Sequence, residues 1–191
     1  MSEVVARQLQ STSSNIILNN IDGILQVVQS VKTDTQSISG GSAPAYGLAL
    51  VTGLSVTISK TSISSKMLVI VDMRGAGTGS YNRQEWVLMR NGEPCFIGQG
   101  QDQVDYQNSV ATNQCTGRFP VNAGATGTNI CSTGCWFFDT EIQELQDTIT
   151  YAVYGGDRNG DSSVFINRNN SSTTGGGDTV CASSITVLEI A

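Results

Sequence analysis

Four carboxylates, Asp139, Glu141, Glu144 and Asp147, fall within nine residues. Two such groups at a fixed separation can flank a glycosidic bond, one as acid and the other as nucleophile or base. That chemistry needs a deep cleft lined with rings, and aromatic residues make up only 6% of the chain. A solvated acidic edge is the expected reading. "DRNGD" sets Asp157, Asn159 and Asp161 at alternate positions, as a calcium loop does. Its glycine falls short of the required place, and Arg168 fills the slot of the bidentate glutamate. It reads as a hairpin turn. "RGAGTGS" holds G-x-G-x-G from Gly75 to Gly79, but a strand-like segment follows where a phosphate cradle needs a helix N-terminus.

Histidine is absent, which removes the commonest general base and metal ligand and argues against an enzyme. The five cysteines are Cys95, Cys115, Cys131, Cys135 and Cys181. Cys131 and Cys135 are spaced C-x3-C with no second pair, which is no zinc site. Two readings stay open. The thiols are reduced and buried, or a pair among Cys115, Cys131 and Cys135 oxidises outside the cell and leaves an odd thiol. No catalytic residue, metal or cofactor is expected.

The elements that would carry these residues are strands. Charged residues make up 14% of the 191, against about 25% in ordinary domains. Ser, Thr, Asn, Gln and 21 Gly supply the missing polarity, the composition of short strands joined by turns. The net charge is −6 and no two basic residues are adjacent, so no nucleic-acid groove is expected. No apolar run reaches the roughly 18 residues of a membrane span, so no membrane insertion is expected. "MSEVVARQLQ" lacks the pattern of a secretion signal; the expectation is a protein that remains cytoplasmic until lysis.

Residues 1–23 read as a docking arm, with a short amphipathic helix over 2–10 and an apolar plug, Ile16 to Leu18, in a polar linker. Residues 24–191 read as one head domain. "ILQVVQSV" is a strand that ends before "SISGGSAP". In "YGLALVTGLSVTIS", Leu54, Val56 and Ile58 share one face and Gly53 marks a bulge. "KTSISS" turns. "KMLVIVDM" is apolar on both faces, so it needs cover on both. "RGAGTGSYNR" reads as a loop, and "QEWVLMR", "NGEP" and "CFIGQG" as a hairpin with an Asn-Gly turn. Residues 99–134 show no clear period, with Tyr106, Phe119 and Trp136 as anchors. Asp139 to Gln146 reads as a loop or one helical turn. "TITYAVY", "SVFINR" and "TVCASSITVLEIA" are strands. Ile185 and Val187 alternate with Leu188 and Ile190, so the last strand is expected inside the head. Strands recurring at short spacing with turn signals between them belong to an all-β antiparallel sandwich, jelly-roll-like in its order.

Four ordered stretches, "LQVVQSVKTDT", "VTGLSVTISKTSISSKMLVIVDM", "YAVYGG" leading into "VFINRN", and "SSITVLEIA", resemble a module of tail-fibre and related virion structural proteins of tailed bacteriophages, marine and cyanobacterial ones especially. The likeness covers residues 24–191. It implies a β-sandwich head, assembled as a homotrimer, in a virion component without catalysis or cofactor. The protein would be made in the host cytoplasm and exposed outside the cell on the mature particle. Related chains carry a long shaft and a proline-containing segment where this chain has "FFDTEIQE". The short arm points to a stubby fibre, seated through residues 1–23 on other virion proteins of baseplate, adaptor or capsid. Host-cell attachment through a surface glycan or protein is the expected role. A receptor-reading tip uses Tyr for rigid contact and Asn, Gln and Ser for adaptable polar contacts. The candidate loops are 74–83, 100–118 and 169–177, and within them Arg74, Tyr81, Arg83 and Tyr106. The rival expectation is a capsid-decorating, head-fibre or baseplate protein without a receptor. A glycan hydrolase is the remote third.

Overall fold

The computed structural model describes residues 23–39, 48–77, 84–95, 117–118, 130–140, 148–157, 163–169 and 181–191. Regular structure among them is all strand: β1 (Ile24–Lys32), β2 (Gln36–Ser39), β3 (Ala49–Ile58), β4 (Lys66–Gly77), β5 (Gln84–Arg90), β6 (Glu93–Pro94), β7 (Gly117–Arg118), β8 (Cys131–Asp139), β9 (Ile149–Asp157), β10 (Ser163–Ile166) and β11 (Ser183–Ile190). One sheet runs β1-β11-β4, with β8 on the other edge of β4 and β10-β2 continuing from its far end. The second runs β3-β9-β5-β6, with β7 also on β5. Every pairing is antiparallel. The two sheets pack face to face as a β-sandwich.

Alternation builds the core. Met67, Val69, Val71 and Met73 of β4, with Ile185 and Val187 of β11, face Leu54, Val56, Ile58, Trp86, Leu88, Ile149, Tyr151 and Val153 of the other sheet. A period of two sends every second side chain inward. β11 lies between β1 and β4, inside its sheet, as the apolar character on both parities required. The Ala191 amide donates to the Gly23 carbonyl at 2.9 Å, joining the start of β1 to the end of β11.

Glycine and asparagine act where φ is positive. Gly53 has φ of 85°, and the β3–β9 register is irregular between Leu50 and Ser55, so it is the expected bulge. Asn91 and Gly92, with φ of 50° and 87°, close the β5–β6 hairpin as a primed turn.

Several sequence expectations are corrected. A short strand, β2, lies in a stretch to which the sequence reading assigned no element. It pairs with β10, and Gln36 bonds β3 through the Leu50 carbonyl and the Thr52 amide. β4 runs on to Gly77, so Arg74 sits in a strand, not in a glycine-rich loop. "CSTGCWFFD" is a full nine-residue strand, and Asp139 ends it, buried, rather than opening a loop or helical turn at a solvated edge. The arm 1–22, most of the stretch 99–129, the carboxylates Glu141, Glu144 and Asp147, and the turn 158–162 lie outside the described residues.

Candidate functional site

The side of the six-stranded sheet turned away from the core is built from the other parity of the same strands. Cross-strand registers fix its rows. Val27, Leu188, Leu68 and Phe138 align across β1, β11, β4 and β8. The next row is Gln29, Thr186, Ile70 and Trp136, and the next Val31, Ser184, Asp72 and Gly134. Trp136 is 77% exposed and Phe138 50%. Leu68 and Ile70 are half-buried, while their neighbours Met67, Val69 and Val71 are fully inside. The both-faced apolar strand therefore buries one face in the core and leaves the other only partly covered. Single exposed apolar residues are ordinary; a contiguous apolar patch marks a contact surface.

The sequence of β8 explains why its rings point out. Cys131, Thr133, Cys135 and Phe137 take the half-buried inward positions, and Ser132, Gly134, Trp136 and Phe138 the exposed ones. A Cβ at Gly134 would sit 2.6 Å from the Val71 carbonyl oxygen, so glycine is what lets β8 lie close against β4. The far end of the face is polar. Arg74 Nη2 donates to Asp72 Oδ2 at 3.0 Å, and Ser132 Oγ to Asp72 Oδ1 at 3.2 Å. Hydrogen bonding to Asp72 raises the Arg74 pKa above its already high ordinary value. With both side chains partly exposed, the pair itself contributes little to stability. Arg74 Nε has no partner among the described residues.

Three buried polar clusters hold the frame of this face. Asp139 accepts both carboxylate bonds from Arg90 Nη1 at 2.7 Å and a third from the Tyr151 hydroxyl at 2.7 Å. Burial, then the hydrogen bond to Asp139, pushes the Tyr151 pKa far up, so its hydroxyl stays a donor. This cluster joins β8 to the opposite sheet. In the same cross-strand row, two strands over from Asp139, Glu189 Oε1 accepts from the Thr61 amide at 2.7 Å, the Ser62 amide at 3.2 Å and Ser65 Oγ. Its Oε2 accepts from Gln26 Nε2 at 2.6 Å and Thr61 Oγ1 at 2.9 Å. Burial opposes ionisation of Glu189, but donations from Ser65, Gln26 and Thr61 outweigh it and hold the pKa below its ordinary 4.5. The third cluster centres on Asn167, fully buried with φ of 59°. Its Nδ2 donates to the Lys32 and Asp34 carbonyls at 2.7 and 3.0 Å, and its Oδ1 accepts from Ser183 Oγ at 2.6 Å. Ser183 Oγ in turn accepts from the Arg74 amide at 2.9 Å. Each cluster satisfies groups that would otherwise be costly to bury.

Of the sequence candidates, Arg74 lies on the polar end of the open face, paired with Asp72. Tyr81, Arg83 and Tyr106 lie outside the described residues. Cys131 and Cys135 are free thiols. They sit four residues apart on one strand, a span of about 13 Å, far beyond disulfide reach. They do not pair with each other, and Cys115 lies outside the described residues. Burial pushes the Cys135 thiol up to about 12. The acidic cluster contributes Asp139, a core anchor held by Arg90 and Tyr151, to the described structure. Among the described residues no helix is long and apolar enough to cross a membrane.

Trp136 and Phe138 are the surface residues that sequence reading missed; it took Trp136 only as an anchor beside the stretch 99–134. The stretch "CSTGCWFFD" carries little signal, because Phe137 shares the inward parity with Cys131, Thr133 and Cys135 while the rings at 136 and 138 share the other with Ser132 and Gly134. No protein-family model and no curated protein matches the chain.

Proposed function

We propose that the chain is a non-catalytic virion component of a tailed bacteriophage, a short tail fibre whose β-sandwich head assembles as a homotrimer and takes part in host-cell attachment. The observation that carries this reading is the open apolar face with Trp136 and Phe138 displayed on it. A sandwich whose buried carboxylates are spent on holding strands and turns, while one sheet face offers rings to a partner, suits a part that works by contact. The ordered motifs over residues 24–191 support the same class. Attachment would come from the loops that extend from this frame, with Arg74 at its polar rim, and several weak sites on one particle multiply in avidity. Residues 1–23 would seat the head on its neighbours in the particle.

A second reading is a capsid-decorating or baseplate protein without receptor binding. The same face favours it in one respect, because its aliphatic rows suit a protein surface. A chain-specific antibody fragment, imaged by electron microscopy on intact particles, separates the two. Tail-tip labelling, together with competition of adsorption by purified protein, is the expected result. Labelling over the capsid favours the second reading, and absence from particles overturns both.

A further inference from the structure

We propose that the outer face of the six-stranded sheet binds a sugar ring, stacked on Trp136 over the bare backbone of Gly134 and held by Asp72, Arg74 and Ser132. The inference rests on the attachment reading above. It names a receptor chemistry, a glycan of hexopyranose units, and a site on the sheet itself.

Register sets the placement. Ser132, Gly134 and Trp136 share the outward parity of β8, each about 7 Å from the next. Asp72 stands across from Gly134, Arg74 across from Ser132 and Ile70 across from Trp136. Asp72 is therefore a diagonal neighbour of Trp136, at a distance of about 7 Å. Gly134 is the floor between the ring and the polar groups. It has no side chain, and the Val71 carbonyl oxygen, 2.6 Å from where a Cβ would sit, keeps one out. Trp136 is exposed and open to a ligand.

Size argues against a protein as occupant. From Val27 to Phe138, three strand spacings of about 4.8 Å by two row gaps of about 7 Å bound roughly 200 Å², polar ends included. A standard protein interface takes roughly 800 Å² from each partner. Among the described residues β8 pairs with β4 alone, so Trp136 stands at the border of the sheet and not at the centre of a patch. A ligand of one or two rings fits that place.

Chemistry narrows the ligand. One side of a hexopyranose shows weakly positive C–H groups, which pack on the negative face of an indole. Its rim carries hydroxyls, each both donor and acceptor. Asp72 and Arg74 answer both needs. Asp72 accepts from Arg74 Nη2 at 3.0 Å and from Ser132 Oγ at 3.2 Å, one bond on each oxygen, and each oxygen keeps a lone pair for a sugar hydroxyl. Arg74 keeps the hydrogens of Nη1 to donate. The three side chains brace one another before a ligand arrives, so little freedom is lost on binding. The other rings of this face lack that setting. Phe138 stands across from Leu68. Phe165 pairs with Ala76, and the Arg168 guanidinium already lies 4.1 Å from the centre of its ring while donating to Ser37 Oγ at 2.6 Å. Trp136 is the ring left open beside free hydrogen-bonding groups.

The test uses the full chain and the methyl glycosides of glucose, galactose, mannose and N-acetylglucosamine as probes, titrated to tens of millimolar. At least one should shift the tryptophan emission saturably, with a dissociation constant in the millimolar range. It should also protect Trp136 from acrylamide, while buried Trp86 does not respond. In saturation-transfer NMR, Trp136→Ala should abolish binding of that probe. Asp72→Asn should weaken it roughly tenfold at an unchanged melting temperature. Ile63→Ser, which removes a different exposed apolar side chain, should bind as wild type does. Binding that survives Trp136→Ala, or that Ile63→Ser reduces as much, overturns the site. Failure of all the probes to bind overturns the inference, and adsorption then decides the wider reading. Purified protein that still competes for adsorption leaves attachment standing; protein that does not compete removes both.

Discussion

Replacing Glu189 by Gln swaps one oxygen of a buried carboxylate for an NH2 group and removes its charge. The wild-type group accepts five hydrogen bonds, two of them from the fixed backbone amides of Thr61 and Ser62. The glutamine oxygen must stay with those amides, so its NH2 turns toward Gln26 Nε2 and Thr61 Oγ1, both of which donate in the wild type. The threonine hydroxyl can rotate. The Gln26 amide is also committed to the Ser59 carbonyl and cannot turn without losing that bond. A hydrogen bond to a charged group is worth about 1 kcal/mol more than a neutral one. Loss of that increment on several bonds, less the relief of burying a neutral group, leaves a deficit of about 2–3 kcal/mol. For a chain of this size that is a fall in Tm of roughly 5–10 °C. The pH profile supplies the control. Because the folded pKa of Glu189 is depressed, its contribution is complete above the ordinary 4.5 and is lost as pH falls through the folded value. Thermal melts of both proteins from pH 7 to pH 3 should therefore show a gap that is full at neutral pH and closes in acid. A Glu189→Gln protein that melts within about 1 °C of wild type at pH 7, or a gap that stays constant down to pH 3, would refute the role given to this carboxylate.

Asn167→Ala should cost about 3 kcal/mol in urea unfolding, because it strands the carbonyls of Lys32 and Asp34 and puts a Cβ residue without local hydrogen bonds at positive φ. Asn167→Gly should recover roughly 1 kcal/mol of that, and equal losses for the two variants would show that backbone strain has no part in it. Gly134→Ala forces a methyl group against the Val71 carbonyl, so hydrogen exchange should speed up along β8 before the rest of the sheet, with a loss of about 1–3 kcal/mol. Cys135, its pKa pushed up to about 12, should alkylate at pH 8 at least about a hundredfold more slowly than a cysteine in a free peptide. Rapid labelling by peptide mass spectrometry would contradict its inward orientation.

The parts of the fold legible in the sequence were those where a period of two coincides with burial. Leu54, Val56 and Ile58 read correctly as one face, as did the Gly53 bulge and the Asn91–Gly92 turn, because each rests on a local rule. The both-faced character of β4 was also legible, and its outer half is the partly covered Leu68–Ile70 stripe. β8 was not legible, since it inverts the usual pattern. Small Cys131, Thr133 and Cys135 face inward while the two exposed rings face out, so hydrophobicity pointed to the wrong side. Asp139 looked like part of a solvated acidic run because its partners, Arg90 and Tyr151, are distant in sequence. The anchoring role of Glu189 was hidden for the same reason: four of its five donors come from the turn 61–65, more than a hundred residues earlier.

The hydrogen bond from Ala191 to Gly23 brings two distant points of the polypeptide to one corner of the head. A bridge of a few glycines and serines between them would span that gap without disturbing β1 or β11. New ends could then be opened at the Asn91–Gly92 hairpin tip, at the same end of the sandwich but on the other sheet, giving a circularly permuted head. Such a rewired domain would let the head be carried on a foreign scaffold through its five-stranded sheet in place of its six-stranded one.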